Sequence, residues 1–226
     1  LFRNLRLLQD SGWITTTLSE IRNRADLVIA AGTDVVSRFP RFFERCLANR
    51  ETLFSENRQC QVVFLGRGAP EGLTLAGPVP QVILCDIPRL NEAFGVLRAL
   101  VAGKSLQAAE AAGRPLSVWR QLAERMQAAK YGVVVWAAPD LDFPHAELTV
   151  QTLCELIKDL NKTTRFSGLP LAGNDGDLTA DSVLLWQTGY ATRTSFAQSQ
   201  PAHDSYHYST ARLLQNDGAD LLFWIS

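Results

Sequence analysis

An α/β fold with a mainly parallel sheet is what this sequence predicts, and two observations predict it. Unbroken apolar runs rich in β-branched residues, at 27–31, 62–65 and 133–136, read as strands buried on both faces. Between them lie stretches whose apolar residues recur at helical spacing, and strands alternating with amphipathic helices are the pattern of βαβ units. At 226 residues and 46% apolar content the chain can hold one large domain or two modest ones with a real core. A break over residues 104–116 divides it into two expected Rossmann-like α/β units, 1–115 and 116–226.

In order, Thr17-Leu18-Ser19-Glu20 fits a capping box that starts a short helix to about Arg24. Leu27-Val28-Ile29-Ala30-Ala31 is the first strand; Gly32 ends it, and Pro40 opens a helical stretch over 41–49. A second strand at 61–65 ends in Gly66-Arg67-Gly68, and a Gly/Pro-rich loop runs to Pro80. The third strand covers 81–85. Pro88 starts a helix with Leu90, Phe94, Leu97 and Val101 on one stripe, and Gly103 fits its C-cap. Residues 105–112 read as one more helical piece, broken by Gly113-Arg114-Pro115. Ser117 then caps a helix with Val118, Leu122, Met126 and Ala129 on one face. Gly132 introduces the strand at 133–136, and a loop over 139–144 leads to a helix from His145 to Asn161. Residues 165–171 are short and extended. Gly173-Asn174-Asp175-Gly176-Asp177 is a turn cluster, with a Thr179-capped helix behind it. A polar loop over 191–206, a helix from Ser209 to Gly218 and a final strand at 221–225 complete the chain.

With 22 basic against 23 acidic residues and a net charge of −1, there is no electrostatic reason to expect nucleic acid or an anionic membrane as partner. No apolar run nears the roughly 20 residues of a membrane-spanning helix. The start, Leu1-Phe2-Arg3-Asn4-Leu5, lacks an initiator Met and does not read as a signal peptide. Ending on an apparent core strand, the chain is expected to be a fragment of a longer one. Cysteines 46, 60, 85 and 154 are too scattered for a metal knuckle or a CxxC pair. They are expected to be reduced and buried, in a cytoplasmic protein.

Ligands of open α/β sheets sit in turns beyond the carboxyl ends of the strands. The turn Gly32-Thr33-Asp34 is therefore the best-placed candidate, although taken by itself a plain turn is the favoured reading. Gly66-Arg67-Gly68-Ala69-Pro70-Glu71-Gly72 has GxGxxxG rather than dinucleotide spacing, and no helix follows to face a pyrophosphate. His203 and His207 with Asp204 could suggest a metal, but their spacing suits one only on a helix, and that stretch does not read as helical. His145 reads as a helix-start residue, and Asp140 and Asp142 as ordinary loop carboxylates. No nucleophile elbow, P-loop or HExxH occurs.

Several strings nevertheless resemble the B subunit of formylmethanofuran dehydrogenase, a molybdopterin oxidoreductase family. They are Leu156-Ile157-Lys158-Asp159-Leu160-Asn161-Lys162-Thr163-Thr164-Arg165-Phe166, Leu169-Pro170-Leu171-Ala172-Gly173, Leu184-Leu185-Trp186-Gln187-Thr188-Gly189-Tyr190 and Thr210-Ala211-Arg212-Leu213-Leu214 with Gly218-Ala219-Asp220. The opening at 18–26 and Arg38-Phe39-Pro40-Arg41 are similar too, so the likeness spans nearly the whole chain in order. The resemblance implies Rossmann-like domains around a molybdenum or tungsten bis-pterin guanine dinucleotide. It also implies an iron–sulfur cluster and a Cys or selenocysteine metal ligand in an N-terminal part that would precede this chain.

The departures fall on the cofactor-facing turns. Where the family typically has Asn-Pro, Asp-Pro-Arg and Arg-Gly-His, this chain has Thr33-Asp34-Val35, Leu65-Gly66-Arg67 and Ala172-Gly173-Asn174-Asp175. An alanine cannot neutralise a phosphate as arginine does, and an unpaired aspartate repels one. Gly32, Thr33, Asp34, Gly66, Arg67, Gly173 and Asn174 are thus expected to line a vestigial pterin-dinucleotide cleft, structurally intact and empty, with no cofactor and no metal bound by this chain. A bacterial branch of the family fits this pattern: a non-redox B subunit of a formyltransferase/hydrolase complex in tetrahydromethanopterin-linked oxidation of formaldehyde to formate in methylotrophs. Its expected partners are the other subunits, which carry the chemistry. Large aromatics (Phe2, Trp13, Phe42, Phe43, Tyr190, Tyr206, Tyr208) read equally as interface anchors or ordinary packing. The alternatives are a working pterin-binding oxidoreductase subunit and a stand-alone α/β protein that binds a small molecule.

Overall fold

The computed structural model describes residues 12–48, 51–54, 56–57, 59–70, 73, 75, 78–171 and 177–223. They divide into two compact units, a larger one up to residue 173 and a smaller one from 174. The larger is built on five parallel strands: β1 (Leu27–Ala31), β2 (Gln61–Gly66), β3 (Gln81–Leu84), and, numbered after a small hairpin described below, β6 (Gly132–Ala137) and β7 (Phe166–Leu171). Their spatial order is β3-β2-β1-β6-β7, every pair parallel. β1 pairs directly with β6, Leu27 opposite Gly132. Strands from both sides of residue 115 therefore join in one sheet, and the expected boundary between 1–115 and 116–226 falls inside the larger unit. The α/β class and parallel sheet stand as expected. What joins the halves is backbone pairing of β1 with a strand far along the chain.

The apolar runs are continuous because successive side chains enter opposite cores. Leu27, Ile29 and Ala31 of β1 pack with Val63, Leu65, Val134 and Trp136 on one face. Val28 and Ala30 pack with Val62, Phe64, Val133 and Val135 on the other. The first face is covered by α4 (Leu90–Val101), α5 (Leu116–Ala128) and α6 (Ala146–Leu160), whose buried residues join that cluster. The second is covered by α1 (Leu18–Arg24), α2 (Val35–Arg38) and α3 (Phe42–Cys46). Phe42 and Phe43 lie in this core, so packing is their role, and half-buried Trp13 stands edge-on to Trp136. The outer edge of β7 is bridged by the segment at Thr15, Thr16 N–H donating to Gly168 C=O at 3.1 Å.

Several local readings change. Thr17 caps α1, its hydroxyl accepting from Glu20 N–H at 3.2 Å, but Glu20 pairs with Arg24. The helix expected over 41–49 is the short α3 alone, and a separate helical turn, α2, precedes Pro40. Asp34 caps α2 through Ser37 N–H at 3.1 Å, and Phe39, preceding a proline, leaves helical geometry at φ −135°. Residues 105–112 are not helical. They lead into a hairpin of β4 (Glu110–Ala111) and β5 (Arg114–Pro115), turned by Ala112 and Gly113 at φ +47° and +71°. α5 begins at Leu116, so Ser117 lies within it.

The smaller unit holds α7 (Asp177–Thr188), a hairpin of β8 (Thr194–Ser195) and β9 (Ala202–His203), and α8 (Thr210–Gln215). Thr179 is inside α7 rather than its cap. Residues 221–223 form no strand, and Phe223 is 83% exposed; 224–226 lie outside the described residues. No helix among the described residues is long and apolar enough to cross a membrane.

Candidate functional site

β2 and β6 flank β1 because the chain first winds outward to β3 and then returns to the other side of β1. That reversal makes the carboxyl ends of β1 and β6 the topological switch point, where α/β sheets hold ligands. The structure brings Gly32, Thr33 and Asp34 to this point, with Gly66 and Arg67 beside them at the end of β2. Gly173 and Asn174 lie outside the described residues.

The turn is not open. Asp140, last residue of the 3-10 turn Ala138–Asp140 that follows β6, projects its carboxylate onto it. One oxygen accepts from the Thr33 hydroxyl at 2.5 Å and from Asp34 N–H at 3.2 Å. The other accepts from Arg38 Nε at 2.9 Å and Nη2 at 2.6 Å. Thr33 is 2% exposed and the Asp140 side chain 10%. Asp34, expected to repel a phosphate, instead turns its own carboxylate to cap α2. Arg67 donates from Nε to Gly32 C=O at 3.1 Å, tying the two turns together.

Apolar side chains close the remaining space. Gly32 has φ +64°, and a Cβ there would stand 2.6 Å from a Leu90 methyl and 3.0 Å from a Leu141 methyl. Gly66, at φ +90°, faces Ile87 in the same way, at 3.0 Å. Glycine is needed at both turns for backbone conformation and for room. Sequence reasoning missed Asp140, Arg38 and the leucines. The only available signal was an acid directly after an apolar strand, which is too common to stand out.

Burial raises the pKa of Asp140, but hydrogen bonds from Arg38 and Thr33 with the Arg38 charge outweigh it and hold the carboxyl below the usual range. A depressed folded-state value contributes stability that is fully present above the ordinary carboxylate pKa and is lost as pH falls through the folded one. The stability difference between wild type and Asp140→Asn is therefore expected to be constant from about pH 5 to 8 and to shrink below about pH 4. Urea denaturation across that range checks it, and a difference growing in acid would contradict the assignment.

Cavities also lie away from this point. One of about 350 Å³ opens at the carboxyl ends of β2 and β3, beside Gly66, Cys85, Asp86, Arg89 and Arg114. Its arginines are engaged, Arg89 with Glu92 at 2.8 Å and Arg114 with Leu84 C=O at 2.5 Å. Burial, with the charge of Asp86, pushes the Cys85 thiol up to about 11, and burial does the same to Cys154. Thiols so raised are poor nucleophiles. Iodoacetamide at pH 8 is expected to label both at least about tenfold more slowly in the native than in the unfolded protein, read by peptide mass spectrometry. Another cavity, about 530 Å³, lies at the amino ends of the strands beside Arg24, Asp26, Lys130 and Arg165. There Asp26 accepts from the backbone N–H of Lys130 and Tyr131, at 2.8 and 3.0 Å, joining two strand starts.

In the smaller unit, Asp204 accepts from the N–H of Tyr206 and His207, both at 2.8 Å, and pairs with His207 Nδ1, while His203 stacks on Tyr190. Among the described residues, no group of three or more His, Cys, Asp or Glu is placed to hold a metal.

No family model matches the chain. It is 31% identical, over its full length, to the B subunit of the formyltransferase/hydrolase complex Fhc of Methylorubrum extorquens, of which it covers 57%. The chain is thus similar, along its whole length, to part of that B subunit. Two tungsten-containing formylmethanofuran dehydrogenase 2 B subunits, from Methanocaldococcus jannaschii and Methanococcus maripaludis, are 25% and 23% identical, over 99% and 97% of this chain and 51% and 50% of theirs. A chain in the crystal structure of the M. extorquens FhcABCD complex with methylofuran is 30% identical and similar in structure with a TM-score of 0.75. That likeness covers 97% of this chain and 56% of the other. The chain thus spans about half the length of the B subunits it matches.

The group implied by this family is a pterin dinucleotide, whose pyrophosphate needs unoccupied N–H donors and cations at such turns. The described residues do not fit it. The donors at Thr33, Asp34 and Arg38 hold Asp140, and Leu90 and Leu141 fill the approach over Gly32.

Proposed function

We propose that this chain is part of a B-type subunit of a formyltransferase/hydrolase complex of one-carbon metabolism, acting in the cytoplasm by assembly rather than by redox chemistry. The observation that carries this reading is Asp140, seated on the donors of the switch-point turn with apolar side chains over Gly32. The higher identity to the Fhc protein than to the tungsten-containing ones supports the same branch. In this reading the cleft at Gly32, Thr33, Asp34, Gly66 and Arg67 is vestigial. The chain holds no pterin or metal, and formyl transfer and hydrolysis belong to partner subunits. In the smaller unit Tyr190 and Tyr206 are 40% and 56% exposed, as interface anchors would be before assembly.

A second reading, a pterin-binding subunit of an active formylmethanofuran dehydrogenase, is favoured only by the tungsten-containing relatives. Purification of the tagged full-length protein from its native host separates the two. Co-purifying formyltransferase and hydrolase subunits, with molybdenum and tungsten far below stoichiometry, are expected. Stoichiometric metal with pterin fluorescence would sink the scaffold reading, and a lone monomer would sink the complex.

A further inference from the structure

We propose that Asp140 is an intramolecular stand-in for a small oxyanion, and that Thr33, Asp34 N–H and Arg38 form an oxyanion site which that one side chain keeps filled. The inference concerns the chemistry of this turn and does not depend on whether the chain assembles into a complex.

The donor set is the argument. Two carboxylate oxygens receive four donors, a hydroxyl and a backbone N–H on one and two guanidinium N–H groups on the other. Hydroxyl, backbone N–H and arginine together are the usual means of holding phosphate and carboxylate groups. The backbone that carries each donor is placed by something other than Asp140. Thr33 and Asp34 follow directly from β1, whose five residues are all buried, and Asp34 is fixed as the cap of α2. Arg38 closes the same helix, Arg38 N–H donating to Asp34 C=O at 3.4 Å, and it also feels the charge of Asp34. Asp140 reaches them from a different strand, 107 residues further along than Thr33, as a separate ligand would. With the site filled from within, a phosphate-bearing molecule meets spent donors. With the carboxylate deleted, the donors remain and the space left is that of a formate ion.

The test is chemical rescue on the full-length protein. Asp140→Ala is melted in sodium chloride, sodium formate and sodium phosphate at matched ionic strength. A saturable rise in melting temperature is expected with formate or with both oxyanions, roughly 3–6 °C at about tenfold above the dissociation constant. Wild type is expected to melt alike in all three salts, and Asp140→Asn, whose amide still fills the space, to show no rescue. Adding Arg38→Gln to Asp140→Ala should abolish the rise. No oxyanion-specific rise, or a rise that survives Arg38→Gln, would overturn the proposal. Asp140→Gly provides a roomier second variant. Should both fail to fold in chloride, refolding yield is read instead: recovery in formate or phosphate supports the site, and failure in all three salts refutes it.

Discussion

Gly132→Ala is expected to destabilise the protein by at least about 3 kcal/mol, a large share of the roughly 5–15 kcal/mol that holds a domain folded. Gly132 opens β6 and sits opposite Phe166 of β7. A Cβ there would lie 2.0 Å from one ring carbon of Phe166 and 2.4 Å from the next, far inside contact distance. The ring cannot swing away, because Phe166 is fully buried in the cluster beneath α4, α5 and α6. Nor can the backbone retreat, because Gly132 also pairs with Leu27 of β1. The cross-strand pairing of a glycine with an aromatic ring thus sets how closely β6 and β7 pack. Gly132→Ala with Phe166→Leu should recover part of the loss, since the smaller side chain vacates the clashing position. Urea unfolding of wild type and the two variants checks this. A single-variant loss under about 1 kcal/mol would show that the strands separate more easily than the packing implies.

Trp119→Ala is the second large effect, expected to cost about 3–5 kcal/mol for the cavity. Trp119 is fully buried on α5 among Leu122, Ala123 and Met126. Its indole N–H donates to Ala111 C=O at 2.8 Å, fastening α5 to the β4–β5 hairpin. The variant both empties the core and leaves a carbonyl unpaired. Trp119→Phe separates the two: it fills most of the volume and loses the hydrogen bond, for an expected cost of about 1–2 kcal/mol. Equal losses for the two variants would mean that the hydrogen bond, not the packing, holds the hairpin. Trp119 shares the helical stripe with Leu122 and Met126, which is legible in the sequence. Of the face expected at Val118, Leu122, Met126 and Ala129, the last three are buried, and Val118 is only partly buried against the core.

The same distinction runs through the molecule. Strands β1, β2 and β6 were legible because a segment buried on both faces needs an apolar residue at nearly every position, a condition each segment states by itself. Helices α1, α4 and α6 were legible from their stripes and from Thr17 as a cap. Short elements were not. α2 depends on the cap at Asp34, and the turn at Ala112–Gly113 holds alanine at φ +47°, a conformation its side chain does not advertise. The joining of both halves in one sheet was equally hidden, since a parallel strand does not name its neighbour.

At the candidate site the sequence by itself placed Gly32, Thr33 and Asp34 at a ligand-type turn, because a buried strand followed by glycine is a local signal. Its departures from the B-subunit pattern also raised the expectation that Asp34 would repel a phosphate, whereas the Asp34 carboxylate caps α2. Only the tertiary structure decided what occupies the turn instead. Arg38 and Asp140 meet across 102 residues, and Leu90 and Leu141 close over Gly32 from two different connections. The physical reason is that a carboxylate's role depends on which donors surround it. At Asp140 those donors are supplied by the pairing of β1 with β6, a contact that no stretch of the chain encodes alone.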